Sequence, residues 1–285
     1  MSHRSLRRLV TTTTVVLTAG LALAACGASD EPSQSTTSPG QPGVQVDLVQ
    51  DGKLKTCTSL PYPPFQFAEG GKTVGFDVDM IDLVAKKIGV PQEIVDLKFD
   101  VIKSGAALNA GNCDIAAAGM TITDERKANL DFSTPYFDEV IALMVGKGAE
   151  VTSLDDVKSK NLKLGVQAGT TSLDYAKENG ITPTEYDDAG KQLLALQSNQ
   201  VDVILQDLPV VNDWLKKPEI SGNFQLAKEI KTGAQYGFAV KKGGNPELLK
   251  LVDDSIEEAL KDGTWNRLYT KWIGSEPETT PTGQP

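Results

Sequence analysis

The stretch "AGMTITDERKANLDFSTPY", residues 118–136, places an arginine where an anion could be held. Thr123 stands at a predicted helix N-cap, Asp124 and Glu125 fill the first turn, and Arg126 follows. A guanidinium binds a carboxylate through two parallel hydrogen bonds, so Arg126 is a candidate carboxylate partner. Read by its neighbours alone, it is rather a surface partner of Asp124, Glu125 or Asp131. A second candidate is "QAGTTS", where Gly169, Thr170 and Thr171 lie between a strand and a helix. Backbone N–H groups at such a helix start suit a carboxylate, although the same residues also make an ordinary capping turn. A third is Asp207, which follows "VDVILQ" at the carboxyl end of a strand, where open α/β sheets bind ligands. Its plainer role is the N-cap before "LPVV". Tyr62, Phe65 and Phe99 are the candidate rings, and a ring face suits a cation at about 0.5–2 kcal/mol. Of the three, Phe65 reads as core.

The ends of the chain limit what these residues can do. Residues 1–25 form a basic stretch, "MSHRSLRR", and an apolar run that is too short and Thr-rich for a spanning helix. They read as a signal peptide. The run ends Leu23-Ala24-Ala25-Cys26, which resembles a bacterial lipobox, whose cysteine becomes the lipidated first residue. The plain alternative is an ordinary secretory signal with an incidental cysteine. Residues 26–44, rich in Ser, Thr, Pro and Gly, read as a flexible tether, and 275–285 as a disordered tail. The expected location is therefore the extracytoplasmic face of the cell membrane, with a lipid anchor at Cys26.

The only histidine, His3, leaves with the signal peptide. That excludes Ser-His-Asp and Cys-His catalysis and any histidine-ligated metal, and no cofactor is expected. Cys57 and Cys113 remain, as a disulfide of an exported protein or as two buried thiols. Arg4, Arg7 and Arg8 also leave, and no acid does, which moves the formal charge from −10 to −13. A chain this acidic, with no basic patch, is a poor nucleic-acid partner.

The candidates sit on alternating elements. "LKTCTS" reads as a strand stopped by the proline- and aromatic-rich loop "LPYPPFQF". A helix follows within 71–90, with Phe76, Met80, Leu83, Val84 and Ile88 at helical spacing. A strand over 92–99, a helix over 101–114 and a strand "DIAAAG" complete a β-α-β-α-β series, which implies a parallel sheet. A second α/β unit begins near 141. "FQLAKEI" and "QYGFAVKKG" read as strands, and two helices close the chain, started by Asn245-Pro246 and separated at Gly263.

"GFDVDMIDLVAKKI", residues 75–88, resembles the signature of the family 3 bacterial solute-binding proteins, the amino-acid receptors of ABC importers. The segments "AGMTITDERKANLDFSTPY", "LGVQAGTTSLDYAK", "VDVILQDLPV", "QYGFAVKKG" and "DGTWNRLYTKWIG" resemble family segments in family order, over about 53–274. Several are closest to glutamine- and basic-amino-acid-binding members. The resemblance implies an α/β fold of two lobes, type II, with two sheets joined by two hinge strands. The expected divisions are 45–140 for the first part of lobe 1, 141–232 for lobe 2, and 233–274 for the return to lobe 1. It also implies a monomer whose partners are a free amino acid, ABC permease subunits and, through the anchor, the membrane.

The resemblance assigns roles as well. Arg126 holds the ligand carboxylate, Thr121 adds a hydroxyl and an N–H, and the Gly119 carbonyl accepts from the ammonium. Gly169, Thr170 and Thr171 supply the lobe 2 half, and Asp207 takes the ammonium. Tyr62 and Phe99 sandwich the side chain. Ser59 stands where several relatives have an aspartate, and Gln167 and Gln206 where the glutamine type has basic residues. These departures argue against strict glutamine binding. The lack of extra Lys or Arg argues against an acidic side chain, which leaves a basic or neutral polar amino acid. Two other readings are an amino-acid sensor ectodomain, which would need a signalling partner, and a cyclohexadienyl dehydratase-like enzyme, which would need Asp207 or Glu69 as general acid. The expectation is a binding protein, not an enzyme.

Overall fold

The computed structural model describes residues 45–277 and 279–281, which lie within one compact unit. The signal peptide, His3, Cys26 and the tether fall outside the described residues.

The chain begins with β1 (Leu54–Thr58), the hairpin β2 (Phe67–Glu69) and β3 (Lys72–Val74), and α1 (Phe76–Ile88). Helix α1 buries Phe76, Met80 and Val84 of the face expected from its spacing, leaves Leu83 and Ile88 half-buried, buries Ile81 as well, and stops at Gly89 in the left-handed region. Its start requires glycine. Gly75 has φ 139°, and a Cβ there would lie 2.1 Å from the Phe65 carbonyl oxygen. Next come β4 (Gln92–Asp96), α2 (Phe99–Lys103), α3 (Ala106–Asn109) and β5 (Ile115–Ala116). Two expectations are corrected here. The strand expected over 92–99 ends at Asp96, its last partner on β1, so Phe99 opens a helix. The helix expected over 101–114 is two short helices, broken at Gly105 with φ 76°, where a Cβ would meet the Asn129 carbonyl at 2.9 Å.

Then follow α4 (Asp124–Lys127), β6 (Leu130–Phe132), β7 (Phe137–Gly146), α5 (Leu154–Ser159), β8 (Leu164–Gln167), α6 (Thr171–Glu178), β9 (Thr184–Tyr186), α7 (Ala189–Gln197) and β10 (Val203–Asp207). The chain closes with α8 (Leu208–Leu215), α9 (Pro218–Ser221), β11 (Phe224–Tyr236), β12 (Ala239–Lys241), α10 (Pro246–Lys261) and α11 (Thr264–Ile273). Side chains of Thr123, Ser153, Thr170, Asp188 and Asn245 cap the helices that follow them.

Two five-stranded sheets result, ordered β4-β1-β5-β12-β6 and β11-β7-β10-β8-β9. Each defines a lobe of a type II α/β fold. The parallel arrangement expected for the first unit holds for β4, β1 and β5, but β12 runs antiparallel to both β5 and β6. In the second sheet β10, β8 and β9 are parallel, and β7 runs antiparallel to β10 and β11. The segments "FQLAKEI" and "QYGFAV" are not separate strands. The first and the start of the second form the continuous β11, which pairs with β7 from Phe224 opposite Gly146 to Tyr236 opposite Phe137.

That long pair joins the lobes. At its far end Phe137 and Tyr236 stack at 5.6 Å and meet Phe65 edge-on in the core of the first lobe. Trp265 on α11 reaches the same place and donates through Nε1 to the Tyr136 carbonyl at 2.8 Å. Cys57 on β1 and Cys113, just ahead of β5, are bonded at 2.06 Å and hold neighbouring strands of the first sheet.

Candidate functional site

The carboxyl ends of β1, β5, β8 and β10 converge, and the residues just beyond them line a cleft between the lobes. This is where an open α/β sheet leaves a crevice for a ligand. The space is about 330 Å³ measured to its open mouth, and hydrogen bonds cross it from wall to wall, Arg126 to Gly169 and Tyr62 to Asp207. The walls are therefore nearly in contact. Ser59, Tyr62, Phe99, Gly119, Thr121, Arg126, Gln167, Thr170, Thr171 and Asp207 all face this space. Gly169 does not line it, but its carbonyl is bonded to Arg126. Gln66 and Ala118 complete the lining.

Arg126 is 4 % exposed, which removes the surface reading. The three acids expected as its surface partners hold lysines instead: Asp124 with Lys127, Glu125 with Lys103 and Asp131 with Lys242. The Thr123 cap orients the turn, accepting from the Arg126 N–H at 3.2 Å. The guanidinium donates through one nitrogen to the Thr121 carbonyl at 2.7 Å and through the other to Gly169 of the opposite lobe at 3.1 Å. It also lies 5.3 Å from the centre of the Phe99 ring. Burial lowers its proton affinity, and the fields of Glu139, Asp174, Asp207 and Glu125 oppose that shift. Among the described residues no carboxylate lies within ion-pair distance of it.

Asp207 faces it across the cleft. It stands at the N-cap position of α8, but its side chain makes no capping bond. The carboxylate accepts instead from the hydroxyls of Tyr62 and Tyr236, both at 2.5 Å. The tertiary contact thus outcompetes the local cap. Burial, reinforced by the Glu139 charge, pushes the Asp207 carboxyl up to about 7, against the pull of the two tyrosines and Arg126. Gln206 accepts from the Tyr62 hydroxyl at 2.8 Å and donates to Gln192, whose own amide donates to the carbonyls of Gly165 and Leu205.

On the first-lobe side Gly119 adopts φ 54°, and its N–H donates to Asp77 at 2.8 Å. A Cβ on it would press the Tyr62 ring at 3.0 Å. Gly169, with φ 73°, comes so close to α2 of the other lobe that a Cβ would lie 2.1 Å from the Asp100 carboxylate. Thr170 donates to the Gln167 carbonyl, and Thr121 and Thr171 donate to Glu139. The amide oxygens of Gln66 and Gln167 are buried without a partner beside the cleft.

Sequence reasoning missed Glu139, Tyr236, Gln192 and Gln66 around the site. Period-two alternation along β7 carries a signal for the first: it sets Glu139 on the same face as Phe137 and Ile141, and all three are buried. Gln192 gives no such signal, since it is a polar residue on a helix whose neighbours alternate freely.

Residues 54–275 match the model of the bacterial extracellular solute-binding proteins, family 3. The L-cystine-binding protein TcyJ of Escherichia coli (strain K12) is 35% identical over 239 residues, covering 82% of this chain and 87% of that protein. An ancestral arginine-binding protein solved with glutamine has 38% identity and a TM-score of 0.73, covering 79% of this chain and 100% of the other. The same kind of ancestral protein solved with arginine has 39% identity and a TM-score of 0.71, covering 78% and 98%. With two α/β lobes, two joining strands and a cleft at the strand ends, this chain belongs to the bacterial extracellular solute-binding proteins of family 3.

Proposed function

We propose that this protein is an extracytoplasmic receptor that binds a polar L-amino acid, basic or neutral polar such as glutamine, by lobe closure and delivers it to an ABC importer. The observation that carries the reading is Arg126, a buried guanidinium with no carboxylate of its own among the described residues. A buried charge is costly unless paired, and a ligand carboxylate supplies the missing partner. Asp207 lies in the same cleft and offers the counter-charge for an ammonium, so the pair matches a zwitterion. Tyr62 and Phe99 supply rings, and relatives named for cystine and arginine binding support the ligand class.

In this reading 45–140 and 233–274 form one lobe, 141–232 the other, and the β7–β11 pair is the hinge. Cys26 carries the lipid anchor, and the receptor works as a monomer with permease subunits. The test is a thermal-shift screen of the purified protein against the protein amino acids and L-cystine. A ligand at 100 times its dissociation constant adds about 2.7 kcal/mol of stability. Arg126→Ala should weaken the best ligand by about 2–5 kcal/mol, measured by calorimetry, because it leaves a buried ligand carboxylate unpaired. The unliganded variant should melt close to wild type. Unchanged affinity would remove Arg126 from the site, and no shift with any amino acid would overturn the reading.

A further inference from the structure

Glu139 belongs to β7, one of the two strands that join the lobes, yet it is only 3 % exposed. Three threonine hydroxyls converge on its carboxylate. Thr121, on the first-lobe wall, lies 2.6 Å from Oε1, and Thr171, at the start of α6 on the second-lobe wall, lies 2.7 Å from the same oxygen. Thr232, on the partner joining strand β11, lies 2.6 Å from Oε2. All three distances fall in the range for a hydroxyl donating to a carboxylate anion. Thr121 and Thr171 are 3.5 Å from each other, so the shorter bonds to Glu139 claim their protons.

A hydroxyl has one proton and two lone pairs. Once the proton is committed to Glu139, the oxygen can act only as an acceptor toward anything else. Thr121 and Thr171 both line the cleft, and Glu139 sits behind them. Thr170, the third threonine of the lining, is likewise committed, to the Gln167 carbonyl. These three threonine hydroxyls therefore receive hydrogen bonds from the cleft and give none.

We propose that Glu139 is a positioning residue for ligand recognition: by taking the protons of Thr121 and Thr171 it turns one hydroxyl on each wall into an acceptor, so that this part of the cleft selects a ligand's N–H donors and leaves its carboxylate to Arg126. The inference rests on the reading of the cleft as an amino-acid site and adds how that site distinguishes the two ends of a zwitterion. It also makes one carboxylate the meeting point of both walls and both joining strands.

The test is a double-mutant cycle on affinity. The best amino acid from the thermal-shift screen is titrated calorimetrically into wild type, Glu139→Leu, Thr121→Val and the double variant. Leucine accepts no hydrogen bond, so the protons of Thr121 and Thr171, which share one Glu139 oxygen, are free to turn toward the cleft. Glu139→Leu should weaken binding about ten- to hundredfold, the worth of a hydrogen bond to a charged group. The double variant should bind no more weakly than the worse single variant, because Glu139→Leu already removes the acceptor that Thr121→Val removes. A purely structural Glu139 would instead give losses that multiply, and that outcome, like unchanged affinity in Glu139→Leu, overturns the proposal. Should Glu139→Leu fail to fold, Glu139→Asp keeps the charge but withdraws it by one methylene. It should show the same loss, and wild-type affinity in it overturns the proposal equally. Wild type that binds no amino acid overturns the functional reading itself, a result seen before any variant is made.

Discussion

Two aspartates, Asp77 and Asp207, are both buried and used differently. Each accepts hydrogen bonds from tyrosine, and burial pushes each carboxyl up to about 7. Asp77 sits in the first turn of α1 and takes the Gly119 N–H at 2.8 Å and the Tyr136 hydroxyl at 2.7 Å. Tyr136 is in turn tied to Trp265 of α11, so Asp77 links the signature helix, the cleft floor and the closing helices. Asp207 takes one hydroxyl, that of Tyr62, from the opposite lobe and the other, that of Tyr236, from the end of the joining strand β11, and it borders the cleft. One carboxylate is spent inside a lobe. The other is held across a gap, by partners that in the proposed function a ligand ammonium replaces or joins. The proposed function thus makes the acid that a partner reaches from the far wall a binding group, and the acid whose partners lie in its own lobe scaffold.

The sharpest way to break this comparison is to remove each acid in turn. Asp207→Ala should cost about 2–5 kcal/mol of ligand affinity by calorimetry, since it strands a buried ammonium. The unliganded protein should lose less, about 1–3 kcal/mol for the Tyr236 hydroxyl it orphans, since Tyr62 keeps its bond to Gln206. If Asp207→Ala instead unfolds the protein and spares binding, the two roles are reversed. Asp77→Ala should act mainly on the fold, at about 1–3 kcal/mol for each buried group it orphans, here the Gly119 N–H and the Tyr136 hydroxyl. Urea unfolding measures it, and an unchanged midpoint would show that Asp77 is not scaffold.

Proton linkage gives the smallest effect. An unfolded aspartate releases its proton near pH 4 and these two near 7, so the folded state holds more protons between those values. Stability of the unliganded protein should therefore be highest at the acid end of that window and fall as pH rises through it, levelling above 7. Asp77→Asn and Asp207→Asn should each flatten the slope. Ligand binding separates them, because an ammonium favours the ionised form of Asp207 alone. Affinity should rise with pH up to about 7, with proton release detected by titration in buffers of different ionisation enthalpy. That release should survive in Asp77→Asn and vanish in Asp207→Asn.

Local chemistry was legible wherever a residue acts through its own neighbours. Thr123 reads as a cap and caps the Arg126 N–H, and Phe76, Met80 and Val84 read as a buried helical face and are one. The strand ends that carry Ser59, Gln167 and Asp207 were placed by alternation of strands and helices. What failed was local reading of residues governed by distant partners. Asp207 gives up the cap of α8 for hydroxyls 145 and 29 residues away. Arg126 ignores three adjacent acids because lysines satisfy them and its own turn faces the cleft. Phe99 leaves the expected strand because β1 offers no partner beyond Thr58.

The sequence by itself determined the alternation of strands and helices, the family resemblance, the residue types available to the cleft and the absence of histidine after residue 3. The tertiary structure alone decided which polar groups meet. It buried Arg126 with no acid paired to it among the described residues, set Asp207 against two tyrosines, and brought Thr121, Thr171 and Thr232 onto Glu139. The physical reason is directional. Periodicity tells which side of an element faces inward, but a hydrogen bond depends on the position of a single proton between groups that only the folded chain brings within 3 Å.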